Sequence, residues 1–211
     1  MGITGDASGN GSPSSIRLAT ARDAGPVAAI YAPNVTETVI SFESEPPDED
    51  EMRRRIEATL ERYPWLVCER RGRVLGYAYA GAHGSRAAYQ WSVDVSVYVH
   101  GEAHRMGVGR ALYTSLFAAL EVQGFYNAFA GATLPNPGSV GLHEAMGFRP
   151  VGVYRGTGYK MGAWHDVGWW HLALRERVPD PDPPADLPSV LGSREWDAAL
   201  AKGLPLLRSG P

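Results

Sequence analysis

Two stretches hold residue types suited to chemistry. In HGEAHRMGVGRALY, His100 to Tyr113, the glycines Gly107 and Gly109 stand where strand-like residues give way to helix-like ones. The start of a helix leaves about four backbone N–H groups without intrahelical partners, and phosphate oxygens bind there when no side chain blocks them. Two familiar phosphate loops do not fit these letters. A dinucleotide fingerprint needs a third glycine where Leu112 stands, and the Gly-Lys-Ser/Thr ending of a P-loop is absent. Upstream, in Trp91-Ser92-Val93-Asp94-Val95-Ser96-Val97, the acid Asp94 interrupts an otherwise apolar alternation. A carboxylate there is either solvated on an open strand face or placed to handle protons, because burial without a partner is costly.

These residues need elements to hold them. A first strand is expected over Ser15 to Ala19, then a helix capped by Asp23 that carries Val27, Ile30 and Tyr31 until Pro33 and Asn34 interrupt it. Met52, Ile56 and Leu60 share one face of a second helix, Asp48 to Arg62, ended by Pro64. Trp65 to Glu69 and Val74 to Ala80 form a hairpin about Arg70-Arg71-Gly72-Arg73. Tyr89 to Val99 reads as one strand. Val108, Leu112, Leu116 and Leu120 repeat every four residues up to Gly124, so the two glycines open a third helix. A strand from Phe125 to Ala132, a helix from Pro137 to Met146 closed by Gly147, and two strands ending at Leu174 complete an α+β domain over residues 15–177.

The ends differ in composition. Residues 1–14 are rich in Gly and Ser and read as a disordered leader. VPDPDPPADLP, after Arg177, is an extended proline-rich linker, and Arg194 to Leu204 fits a short terminal helix. This tail, 178–211, either docks on a neighbouring subunit or stays loose.

The chain has 211 residues, 44% of them hydrophobic, and a formal net charge of −3 with both signs interspersed. It advertises no broad cationic face for nucleic acid or an anionic membrane. The lone Cys68 forms no intramolecular disulfide, and neither a signal-peptide pattern nor a membrane-length apolar run is visible. A soluble, cytoplasmic protein is the expectation.

A strand ending Val-Tyr-Val, then HRMGVG and an amphipathic helix, resembles the pyrophosphate loop of GNAT-type N-acetyltransferases, written Q/R-x-x-G-x-G/A. NPGSVGLHEAMGF, Asn136 to Phe148, resembles the second cofactor motif of the same superfamily. YPWLV paired with GYAYAG, AYQW at Ala88 to Trp91, GLHEAMGF, and WHDVGWW at Trp164 to Trp170 are together similar to the phosphinothricin acetyltransferase family. The similarity spans about residues 16–175. It implies a GNAT fold: a central mixed, mostly antiparallel sheet flanked by helices, with strands splayed at the acetyl-CoA site. It also implies acetyl transfer to the α-amino group of an amino-acid-like acceptor, and a homodimer.

An ammonium group cannot attack a thioester until it loses a proton, so the site needs a base, donors for the developing oxyanion and a means of neutralising the thiolate. No metal or covalent nucleophile is needed. Asp94 stands where the family usually has a glutamate base. The acid is one methylene shorter, which implies either a water relay or a shifted substrate. The resemblance puts His143 near the coenzyme sulfur, where its ordinary pKa of about 6.5 suits protonating the thiolate or orienting the base. The bland alternative is a helix-surface histidine.

For the coenzyme, the resemblance points to Val97, Tyr98 and Val99, to the loop His104, Arg105, Met106, Gly107, Val108, Gly109 and Arg110, and to Asn136 and Ser139. Asn136 is also a natural N-cap before Pro137. His104 departs from the usual Gln/Arg. For the acceptor it points to Phe42, Arg86, Tyr89 and Lys160; Arg86 is suited to gripping a carboxylate or phosphinate, and also reads as a solvated loop residue. His165 and Asp166 are expected to be structural or dimer-facing, and Cys68 a small core residue. Phosphinothricin and methionine sulfoximine are the candidate acceptors. The rival readings are an acetyltransferase for peptide or protein amines and a non-catalytic acyl-CoA-binding module.

Overall fold

A computed structural model describes residues 14–208. The glycine-rich start, 1–13, lies outside the described residues. Seven strands form one sheet: β1 Ser15–Leu18, β2 Trp65–Arg70, β3 Arg73–Ala82, β4 Ser92–Val99, β5 Asn127–Leu134, β6 Arg149–Lys160 and β7 Ala163–Ala173. Their order is β1-β2-β3-β4-β5-β7-β6, and every pairing is antiparallel except β4 with β5.

Period-two alternation divides the side chains between two layers. Leu66 and Cys68 of β2 and Val93 and Val95 of β4 face α3, Val108–Gln123, whose Val108, Leu112, Leu116 and Leu120 are all buried. Each such aliphatic side chain contributes roughly 1.5–3 kcal/mol on burial. Trp65 and Val67 face the opposite layer, made by α1, Ala24–Thr36, and α2, Glu49–Leu60. Asp48 caps α2 through the amide of Glu51 at 2.8 Å, as its sequence suggests.

Three expectations are corrected. Pro33 does not end α1, which runs on to Thr36. Burial of Val27, Ile30, Tyr31 and Val35 along one face outweighs the proline's cost of about 3 kcal/mol. Tyr89 lies outside β4: Ala87–Tyr89 is a single helical turn that lays the Tyr89 ring over Gly84. The tail neither stays loose nor needs a second subunit. Its α5, Leu187–Val190, and α6, Arg194–Ala201, bury Leu187, Trp196 and Ala199 against Ala118 and Ala119 of α3. The Ser115 hydroxyl donates to Leu200 O at 2.7 Å and the Arg208 amide to Met106 O at 3.0 Å, so the tail follows α3 back to its N-terminus.

Candidate active site

The middle of the sheet opens. β4 and β5 pair only at Ser92–Asn127, Val93–Ala128 and Asp94–Phe129; beyond Asp94, β4 stays on β3 while β5 leaves it. A solvent-open cleft of about 440 Å³ occupies the parting. Val95 to Tyr98 form one wall and Gly131 and Ala132 the other. Tyr113 of α3 lines its interior, with Asn136, Ser139 and His143 from the start and body of α4, Pro137–Ala145. The Asn136 side chain accepts the Ser139 amide at 3.0 Å, so the capping reading of Asn136 holds while both residues still line the cleft.

At one lip lies the glycine loop. His104 is exposed, its Nε2 3.2 Å from Val99 O, and Arg105 adopts a left-handed φ of 65°. Gly107 has φ 80°, and a Cβ there would collide with the Leu206 carbonyl of the tail. A Cβ on Gly109 would meet Leu142 of α4 at 3.2 Å. The chain itself requires the bare backbone at Gly107, through the turn and the tail, while at Gly109 a Cβ would press on the Leu142 side chain of α4. Arg110 is exposed on the first turn of α3.

His143 is 4% exposed, among Phe148, Trp170 and Tyr113. Its Nε2 stands 3.3 Å from the Tyr113 hydroxyl, and its Nδ1 is buried without a partner. Burial pushes its pKa down to about 4. Burial corrects the helix-surface reading, and the lowered pKa favours the neutral ring. His143 and Asp94 share no hydrogen bond among the described residues, because Asp94 alternates with Val93 and Val95 onto the other face of the sheet. The orphaned Nδ1 leaves a neutral imidazole able to make one further hydrogen bond.

Asp94 has another partner, His83, which sequence reasoning passed over. His83 Nδ1 and Asp94 Oδ1 are 2.6 Å apart. The imidazole stacks on Phe129 with ring centroids 4.1 Å apart, and Tyr89 and Trp169 meet it edge-on. Burial raises the pKa of Asp94, and the hydrogen bond from His83 pulls against that rise. In the sequence His83 stands among small and polar loop residues with no periodic signal. Only the β3–β4 register, which sets Gly81 opposite Asp94, brings it close.

The remaining acceptor candidates divide. Phe42 is exposed beside Gly158 and His165, Tyr89 is exposed against His83, and the exposed Arg86 side chain has no hydrogen bond or ion pair among the described residues. Lys160 is not available as a ligand cation: its ammonium donates to Val35 O at 2.5 Å and Ser41 O at 2.7 Å. Those bonds, with Tyr31 on Ser41 and Arg55 on Glu43, tie down the loop that brings Ile40 to the cleft. His165 bonds the Lys160 carbonyl and Asp166 accepts from Arg155 and the Gly156 amide, as structural residues do.

A parallel strand pair that parts in mid-sheet, with a bare helix start at one lip, offers free backbone edges and amides to an extended, phosphate-bearing ligand. The chain belongs to the acetyltransferase (GNAT) domain family, whose model matches residues 16–169. It is 44% identical over 158 residues to a phosphinothricin N-acetyltransferase of Streptomyces viridochromogenes, covering 75% of this chain and 86% of that one. It is 33% identical over 164 residues to an L-methionine sulfoximine/L-methionine sulfone acetyltransferase of Salmonella typhimurium, covering 77% and 96%. Among solved structures it matches a phosphinothricin acetyltransferase from Sinorhizobium meliloti in complex with AcCoA, with TM-score 0.76, 34% identity, and coverage of 81% and 94%.

Proposed function

We propose that the chain transfers the acetyl group of acetyl-CoA to the α-amino group of a small amino-acid-like acceptor, phosphinothricin and methionine sulfoximine being the candidates. The observation that carries the reading is the parting of β4 from β5 beside a glycine-bearing helix start. The names of the relatives support the acceptor class. The residues present fit the donor: free backbone edges on Val95 to Val99, Asn136 and Ser139 along the cleft, and the unpartnered Nδ1 of His143 inside it. Amides at the start of α3 hold the pyrophosphate, with Arg105 and Arg110 adding charge. When bound, acetyl-CoA supplies an activated acyl carbon.

The acceptor approaches from the face that carries Asp94. Arg86 pairs its anionic group, Phe42 and Tyr89 flank its side chain, and Asp94 supports loss of the ammonium proton. Neutral His143 serves as a hydrogen-bond partner on the donor side. The aromatic surroundings of Asp94 favour this acceptor over a peptide. Thiol release from acetyl-CoA, measured across a panel of amino acids, amines and peptides, tests the reading. Turnover with phosphinothricin or methionine sulfoximine is expected, and turnover with peptides alone would refute the acceptor class.

The active form is a cytoplasmic homodimer. Edge strand β6 exposes Val151, Tyr154 and Tyr159, and Trp164 of β7 beside them is 69% exposed. An apolar strip on a sheet edge suits a second copy. Sedimentation of Tyr159→Lys is expected to give monomer where the parent chain gives dimer.

A further inference from the structure

His83 is not among the residues that the motifs bring forward, yet it occupies the most informative point of the sheet. Asp94–Phe129 is the last paired position before β4 and β5 separate, and the His83 ring touches both members: hydrogen-bonded to Asp94 at 2.6 Å, stacked on Phe129 at 4.1 Å. An imidazole whose Nδ1–H is donated to a carboxylate is fixed in the tautomer that leaves a lone pair on Nε2. That Nε2 makes no hydrogen bond among the described residues and is not sealed from solvent. The carboxylate, in turn, has one oxygen committed to the ring. Asp94 is a short acid, and the imidazole extends its reach over the mouth of the parting.

We propose that His83, held by Asp94 where β4 and β5 part, is the catalytic group that receives the proton of the attacking amine. This rests on the acetyl-transfer reading and deepens it. Nε2 takes one proton from the acceptor ammonium and passes it to solvent. The freed nitrogen lone pair forms the C–N bond. The C–S bond breaks with its electron pair going to sulfur, and the second nitrogen proton, lost as the amide forms, balances the thiolate. Asp94 is then the positioning residue, stabilising the imidazolium as it appears.

Other titratable groups bear on the dyad. Tyr89 meets it from the helical turn, Tyr79 of β3 senses Asp94 along with Arg55 and Glu43, and His171 of β7 stacks on the same Phe129. None of them bonds Asp94 or His83.

The test uses the full chain and the best acceptor from the thiol-release panel, with kcat/KM followed against pH. His83→Ala is expected to lower kcat/KM about 10²–10⁴-fold, the usual range for a general base, with acetyl-CoA affinity unchanged by titration. Added imidazole is expected to restore part of the rate, increasingly as its free base accumulates. His83→Asn keeps a donor for Asp94 but has no lone pair for the proton, so it should fail as His83→Ala does. Asp94→Asn in the His83→Ala background should cost less than about threefold more, because the pair acts as a unit. Full activity in His83→Asn would make His83 a positioning residue and overturn the proposal. So would an Asp94→Asn loss that is undiminished in the His83→Ala background. Absence of thiol release by the parent chain with every acceptor defeats the acetyl-transfer reading instead, before any variant is made.

Discussion

Two histidines flank the parting of β4 and β5, on opposite faces of the sheet, and their surroundings differ. His83, on the face shared with Asp94, has a side chain 25% exposed and a carboxylate 2.6 Å away. His143, on the α3 side, is 4% exposed, and its ring has one polar partner among the described residues, the Tyr113 phenol. A carboxylate bonded to Nδ1 leaves the Nε2 of one ring with its lone pair, whereas an apolar cage disfavours charge on the other. The proposed proton acceptor and the neutral hydrogen-bonding ring are thus the same residue type in two environments. On the His143 side the tail adds a brace: α5 and α6 pack on the outer side of the helix whose inner side carries Tyr113.

The comparison breaks most severely through that brace. Trp196 is 3% exposed between the tail and α3, and Trp196→Ala should cost about 3–5 kcal/mol in a denaturant titration. Acetyl-CoA binding, which depends on the start of α3, should weaken with it. A variant of parental stability would mean that the tail only rests on the domain.

A smaller effect separates the histidines by pH. His143 titrates near 4 when folded and about 6.5 when unfolded, so on acidification the unfolded chain binds the proton first. Its contribution to stability is complete above about pH 6.5, falls as the pH drops, and is lost near 4, by up to roughly 3 kcal/mol. His143→Phe should flatten the dependence of Tm on pH in that window while leaving the acid limb of kcat/KM in place. Disappearance of that limb in His143→Phe would assign it to His143.

Smallest is the acceptor contact proposed for Arg86. Arg86→Ala should raise the acceptor KM about 10- to 150-fold, the equivalent of a charged hydrogen bond worth roughly 1.5–3 kcal/mol, and leave the acetyl-CoA KM unchanged. Equal changes in both constants would return Arg86 to the solvated surface.

Much of this molecule is legible in its letters because the signals are local. The four-residue spacing of Val108, Leu112, Leu116 and Leu120 defines α3, the alternation through Val93 and Val95 defines β4, and Gly72, Gly107, Gly124 and Gly147 mark turns that need a positive φ. The glycine loop and the Asn136 helix carry the family resemblance within single stretches of chain. Tyr89 and Pro33 were misleading for a local reason: an aromatic residue beside a strong strand reads as strand, and an internal proline reads as a stop.

What the sequence determined by itself, then, was the set of elements, the glycine-opened helix and the family, all properties of residues a few positions apart. The tertiary structure alone decided which groups act together. It set His83 on Asp94 through the β3–β4 register, spent the Lys160 ammonium on two backbone carbonyls, and folded an acidic, proline-rich tail along α3. The physical reason is that proton affinity and docking depend on desolvation and on partners distant in the chain. Burial moved His143 away from its ordinary pKa, and no spacing within NPGSVGLHEAMGF encodes the Tyr113, Phe148 and Trp170 cage that buries it.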